Sequence, residues 1–261
     1  MRPFMLFYLL TFFSCIGDGP VASQPGIPTP ATSDSLVPAV YTPGSWQRYL
    51  QDIPEKEGPI LDFKGAKVRD QGKHTAILPF DVGTRDLQQC ADALMRLRAE
   101  YLFGSGRTSE IAFHFTDGTK YPFLKHCEGW RPLVKGNSLV LGKRTGAVSP
   151  THKALRNYLD IVYTYAGTIS LAKELKMTEG FDVGTIVITP GSPGHCFIIK
   201  DKARLASGGW RYKLAEGYTP AQSMYVLSRP DSPGDPWYAL AKGTIETSSY
   251  TFTRYKLGTF E

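Results

Sequence analysis

Hydrophobic and polar positions recur along this chain with two periods, and the switches between them mark its elements. The stretch from Asp182 to Asp201 carries the densest strand signal. Thr185-Ile186-Val187-Ile188-Thr189 is β-branched throughout, and Cys196-Phe197-Ile198-Ile199 is nearly as strand-prone. Pro190-Gly191-Ser192-Pro193-Gly194 is a turn cluster, so the pattern predicts strand, tight turn, strand, with His195 opening the returning strand. Leu87, Cys90, Ala91, Leu94, Leu97 and Tyr101 recur at helical spacing and predict a helix over 84–103, with Thr84 as N-cap and Asp86 in its first turn. Cys90 then falls about two turns in, on the apolar stripe. Gln89, Asp92, Arg96 and Glu100 form the opposite, polar stripe. Arg98 lies near the apolar one, so it is expected to be part-buried with an acidic or carbonyl partner.

Ser149-Pro150 predicts the N-cap and first residue of a second helical region ending near 176, which Gly167 divides, with Thr168 near the second start. Ile111 to Thr116 alternates, placing Ile111, Phe113 and Phe115 on one face and His114 on the other, and Asp117-Gly118 adds a hairpin signal. A short helix carrying Trp46 and Leu50 is expected after Ser45, with strands over 74–80, 210–216, 224–227 and 250–256. Helices mixed with antiparallel hairpins, without regular βαβ alternation, predict an α+β protein with an antiparallel sheet flanked by helices.

The first 41 residues follow neither period. Residues 1–23 read as a targeting segment: Arg2 precedes an apolar stretch, Phe4 to Phe13, that is too short to span a bilayer. Lipid attachment at Cys15 competes with cleavage after Val21-Ala22-Ser23, and Cys15 is preferred because a polar, Pro-rich linker over 24–41 follows it. Both predict export to the cell envelope or beyond, with one globular domain over 42–261. The chain of 261 residues is 42% hydrophobic, enough for a full core, and carries a formal net charge of +6. That charge is scattered, without the basic stripe of a nucleic-acid binder, so no nucleic-acid partner is expected. It implies general attraction to an anionic envelope polymer such as a peptidoglycan fragment, with membrane contact only through the lipid anchor. Cys90, Cys127 and Cys196 stand at irregular spacings with no zinc-ligand pattern, and neither a metal nor a cofactor is expected.

Three constellations carry candidate chemistry. The first is Cys with His. Cys90 is read as a core thiol out of reach of His195; Cys196 points to the opposite strand face from His195; Cys127 adjoins His126 in a loop. The second is His195 with Ser170 or Ser192, neither in a nucleophile-elbow context. The third is the carboxylates Glu216, Asp201 and Asp182, whose default is a solvated surface. Arg98, Gln222 and Tyr218 are the candidate binding residues.

The runs YTYAGTISLAKEL (163–175), PGSPGHCFIIKD (190–201) and LAEGYTPAQSMYVL (214–227), with QQCADALMRLRAEYLF (88–103), resemble the bacterial family called domain of unknown function 4846. The resemblance covers about residues 42–260, and the family name implies no activity. More distantly, helix, strand, Gly-His strand and a further strand bearing a polar residue resemble the order in NlpC/P60 and CHAP cell-wall peptidases. That resemblance implies a papain-like core, with His195 as base and Glu216 or Gln222 as its orienter. The helix start corresponding to their nucleophile reads Tyr165-Ala166-Gly167-Thr168, without Cys, and Gly184-Thr185 replaces their Gly-Asp. The expectation is therefore a non-catalytic binding or scaffold module; the alternative is an amidase or peptidase in which Cys90 is a displaced nucleophile.

Overall fold

The computed structural model of the protein describes residues 35–261. The targeting segment, Cys15 and the expected linker up to residue 34 lie outside the described residues. The chain is already in the sheet at Leu36–Pro38, within the stretch expected as linker, because these residues pair with Leu205, Arg204 and Ala203.

The strand His195–Leu205 is the spine of a nine-stranded sheet. On one side lie Trp210–Glu216, then Tyr225–Leu227, then His74–Ile77. On the other lie Ile186–Thr189, Lys256–Thr259 and Lys176–Met177. All of these pairings are antiparallel. The hairpin forms where the β-branched runs predict it, with Thr189 opposite His195 and Ile188 opposite Cys196. The Asp117-Gly118 hairpin also forms, joining Ala112–His114 to Lys120–Pro122, and buries Ile111, Phe113 and Phe115. The strand expected over 250–256 divides instead into Thr251–Phe252, which pairs with Ile245–Glu246, and Lys256–Thr259, which joins the main sheet.

Five α-helices accompany the strands among the described residues: α1 (Trp46–Asp52), α2 (Cys90–Gly104), α3 (Phe123–Cys127), α4 (His152–Tyr165) and α5 (Thr168–Glu174). Ser45 caps α1 as expected, its hydroxyl accepting the Arg48 N–H at 3.1 Å. Thr151, not Ser149, caps α4, its hydroxyl accepting the Ala154 N–H at 3.2 Å. Gly167 divides the second helical region as expected.

The main departure is the start of α2. Residues 85–89 form turns rather than the first turns of the helix. Asp86 is drawn out of helical register by a tertiary contact: its Oδ1 accepts the Ala221 N–H at 2.7 Å and the Gln89 side-chain amide at 3.1 Å. Asp92 then accepts the Gln89 N–H at 3.1 Å, which fixes the cap at Gln89 and makes Cys90 the first helical residue. The stripe Asp92-Arg96 is also not solvated; both side chains are buried. α4 packs against this face, and His152 at its start reaches Glu100 at 2.9 Å. A helix enclosed by a sheet on one side and a helix on the other keeps polar residues only where they find partners.

Candidate functional site

Strand periodicity sets up the site. Ala215 lies opposite Ile198, so the next residue, Glu216, points to the sheet face that His195 and Phe197 share. Glu216 is paired in register with Tyr225 on the following strand. Three adjacent strands therefore deliver His195, Glu216 and Tyr225 to one face. His195 Nε2 lies 2.8 Å from Glu216 Oε2, and the Tyr225 hydroxyl donates to Glu216 Oε1 at 2.5 Å. Glu216 is fully buried, which corrects its expected place on a solvated surface. Lys73, also buried, lies 4.0 Å from the Tyr218 ring and 5.2 Å from the Tyr225 ring, adding positive charge behind the carboxylate.

Cys90 meets this row from the opposite direction. The end of α2 comes down on the mouth of the His195 strand, with Cys90 Sγ 4.0 Å from the Gly194 carbonyl oxygen. The thiol interacts with both the Cys196 thiol and the His195 imidazole. The expectation that Cys90 lies mid-helix and beyond the reach of His195 is thus overturned: it is buried, as expected, but it opens the helix beside the imidazole. Since His195 Nε2 is bonded to Glu216, Nδ1 is the nitrogen left for the thiol.

The electrostatics favour a charged pair. Hydrogen bonding from Cys196 and from His195, with the imidazolium charge, holds the Cys90 thiol down to about 5 against the opposing effect of burial. The Cys196 thiol is the first of these donors. A thiol is a weak, uncharged donor, however, and in a site of low dielectric the imidazolium is physically the stronger influence. The α2 N-terminus adds its own preference for a thiolate. Burial depresses His195, but the Cys90 and Glu216 contacts outweigh it and raise the group to about 9. Between these values Cys90 is thiolate and His195 imidazolium.

A cavity of about 510 Å³ opens over the pair. Tyr218 and Tyr250 line it, with ring centroids 5.2 Å and 5.1 Å from that of His195. Thr168, at the start of α5, holds the turn before His195 by donating to the Gly191 carbonyl at 3.0 Å. Two glycines permit the approach of these parts. A Cβ on Gly194 would sit 2.4 Å from Thr168 Oγ1, and one on Gly217 would sit 2.7 Å from Ala93 Cβ and 3.0 Å from the Gln89 carbonyl oxygen. Gly217 follows Glu216 directly, so it sets how closely α2 meets the strand. Gly217→Ala is expected to destabilise the fold by about 1–3 kcal/mol. The checks are urea denaturation and Cys90 alkylation, and a variant with unchanged stability and reactivity would show that the close approach is not needed.

The remaining candidates lie elsewhere. Arg98 is buried with a carbonyl partner, as expected, but that partner is Glu261, and its guanidinium lies over Trp46, Tyr101 and Phe260 away from the Cys90 cavity. Gln222 is buried beside Tyr225 rather than His195. Ser170 caps α5, its hydroxyl accepting the Gly167 N–H at 3.0 Å. Asp182 pairs with Tyr41 and Lys202, and Asp201 accepts from Gln51 at 2.7 Å. His126 bonds Tyr121 at 2.9 Å and is driven down to about 4, first by burial and then by Arg131, while burial raises the Cys127 thiol. Neither has the character of a nucleophile or base. Tyr225, Lys73 and Gly217 are site residues that sequence reasoning missed; the only local sign was a glycine directly after Glu216.

The fold and site define an α+β protein in which a helix-opening cysteine faces a strand-opening histidine backed by a buried glutamate. The family model for domain of unknown function 4846 matches residues 32–259, and the chain belongs to that family. No curated protein and no solved structure matches the chain.

Proposed function

We propose that this protein is a cysteine-dependent acyl hydrolase or transferase, with Cys90 as nucleophile, His195 as general base and acid, and Glu216 as the group that orients His195. The observation that carries the reading is the place of Cys90, at the first position of α2 with its Sγ 4.0 Å from the carbonyl oxygen of Gly194, the residue before a His195 whose Nε2 lies 2.8 Å from Glu216. The thiolate attacks a substrate carbonyl carbon, and the imidazolium protonates the leaving nitrogen or oxygen as its bond to carbon breaks. Water or an acceptor amine then gives its proton to His195 and attacks the thioester, which releases the acyl group and restores the thiolate–imidazolium pair. The Cys90 N–H, in the first turn of α2 and without an intrahelical acceptor, is the donor placed to stabilise the tetrahedral oxyanion. Tyr225 fixes the second carboxylate oxygen of Glu216, so the carboxylate cannot turn away from His195.

The finer reading is an amidase or peptidase acting on envelope peptides. It draws support from the roles of the elements: a helix opened by Cys, a strand opened by His and an adjacent strand bearing the orienter match the order that NlpC/P60 and CHAP enzymes imply. In this chain the Cys-bearing helix is α2, well upstream of the position 165–168 where that resemblance looked for it. The expected export and the anchor at Cys15 belong to the same proposal.

The full chain, incubated with p-nitrophenyl acetate and separately with purified peptidoglycan peptides, tests both levels. Acylation of Cys90 is expected by peptide mass mapping, and Cys90→Ala and His195→Ala are expected to lose it. Equal acylation in wild type and His195→Ala would overturn the enzyme reading. Acylation without cleavage of any peptidoglycan peptide would overturn the envelope substrate alone.

A further inference from the structure

Two residues that line the Cys90 cavity carry a buried polar atom without a hydrogen-bond partner. Asp92 and Tyr163 both line it and are 5% and 6% exposed. Asp92 Oδ2 accepts the Gln89 N–H at 3.1 Å, but Oδ1 is buried without a partner. The Tyr163 hydroxyl, contributed by α4, is likewise buried without one. Arg96, one turn further along α2, does not compensate Asp92, because its guanidinium is held by Glu100 at 2.5 Å and by Asp81 at 3.4 Å. Burial, with the negative charge of Cys90 adding to it, pushes the Asp92 carboxyl well above its ordinary range. Asp92 Oδ1 and the Tyr163 hydroxyl, both buried and unpartnered on residues that line one cavity, call for a ligand that supplies the missing partners.

We propose that Asp92 and Tyr163 form a subsite for a primary ammonium group of the substrate, beside the nucleophile; this deepens, and rests on, the reading of Cys90 as nucleophile. An ammonium has several N–H donors, so one can reach Asp92 Oδ1 and another the tyrosyl oxygen. A neutral amide could satisfy Oδ1 but would leave the carboxyl in the uncharged form that burial favours, whereas an ammonium brings the counter-charge that lets it ionise. A guanidinium gains its advantage by gripping both carboxylate oxygens, and here Oδ2 is already held by the helix cap. The subsite therefore selects substrates with a free amine near the scissile carbonyl.

Three methanethiosulfonates of similar size test this on the full chain: the cationic aminoethyl, neutral methyl and anionic sulfonatoethyl reagents. In each reaction the Cys90 thiolate attacks the sulfenyl sulfur, a mixed disulfide forms and methanesulfinate leaves. Rates at Cys90 are read by mass spectrometry and divided by each reagent's rate with a free small thiol. Wild type is expected to prefer the aminoethyl over the methyl reagent by about tenfold, the order that one charge-assisted bond supplies. Asp92→Asn, which can keep the cap to Gln89, and Tyr163→Phe, which changes no charge, are both expected to lower that ratio. Asp86→Asn, which removes a charge from the same cavity wall but keeps an oxygen to accept the Ala221 N–H, is expected to retain it. An unchanged ratio in Asp92→Asn and Tyr163→Phe overturns the subsite. An equal loss in Asp86→Asn also overturns it, in favour of a diffuse negative field. If Cys90 reacts with none of the reagents, the nucleophile reading itself fails and the subsite with it.

Discussion

Alkylation of Cys90 by iodoacetamide is expected to rise with pH through a midpoint near 5, and His195→Ala is expected to move that midpoint up by about 2–3 pH units. The midpoint is the diagnostic quantity, because the rate at neutral pH is not. Raising a thiol by about three units cuts its thiolate fraction at pH 7 by about tenfold, but nucleophilicity rises by a similar order with a Brønsted coefficient of about 0.4–0.5. The two effects nearly cancel in a single rate and separate only in a pH profile. The thiolate is lost as pH falls through the Cys90 value, and the imidazolium is lost as pH rises through about 9. Alkylation should therefore persist above 9, whereas acyl turnover, which needs the imidazolium as proton donor, should fall there and give a bell-shaped profile. Cys196→Ala is expected to move the midpoint by less than about one unit, because it removes an uncharged donor. A larger shift from Cys196→Ala than from His195→Ala would overturn the ion-pair account.

Glu216→Ala is expected to have the largest effect on stability, a loss of about 3–5 kcal/mol, because it removes the buried carboxylate bonded to His195 Nε2 and leaves that charged N–H without an acceptor. The Tyr225 hydroxyl loses its acceptor in the same step. Tyr225→Phe, which removes one donor to the carboxylate, should cost about 1–2 kcal/mol. Glu216→Gln keeps the volume and an acceptor oxygen, so it should fold while lowering the His195 pKa and the turnover. Urea denaturation of the three variants gives the order, and titration of His195 by NMR in Glu216→Gln gives the charge effect. A loss in Glu216→Ala no greater than that in Tyr225→Phe would mean that His195 does not depend on this carboxylate.

Local pattern carried much of the fold. The β-branched runs and the turn between them determined the central hairpin and the place of His195 at its mouth. Asp117-Gly118, Ser45 and Gly167 each acted through the few bonds nearest to them, so their turns and caps were legible without knowledge of the rest. The strand Trp210–Glu216 was legible too, but not the partners of Glu216, because cross-strand neighbours depend on register between segments far apart in the chain.

The place of Cys90 was decided only by tertiary structure. The helical period of Leu87, Cys90, Ala91 and Leu94 continues smoothly backwards, and nothing local to 84–90 stops a helix there. Asp86 stops it by bonding the backbone at Ala221, a residue brought alongside only when the sheet forms. That contact shortens the helix to Cys90 and turns an apparent core thiol into the residue at the helix N-terminus. The packing of α4 over Asp92 and Arg96 is likewise non-local, and it buries what reads as a polar stripe, with Asp92 in the lining of the cavity. Periodicity specifies which face of an element is apolar; where that element begins, and what covers its other face, is set by contacts between distant parts of the chain.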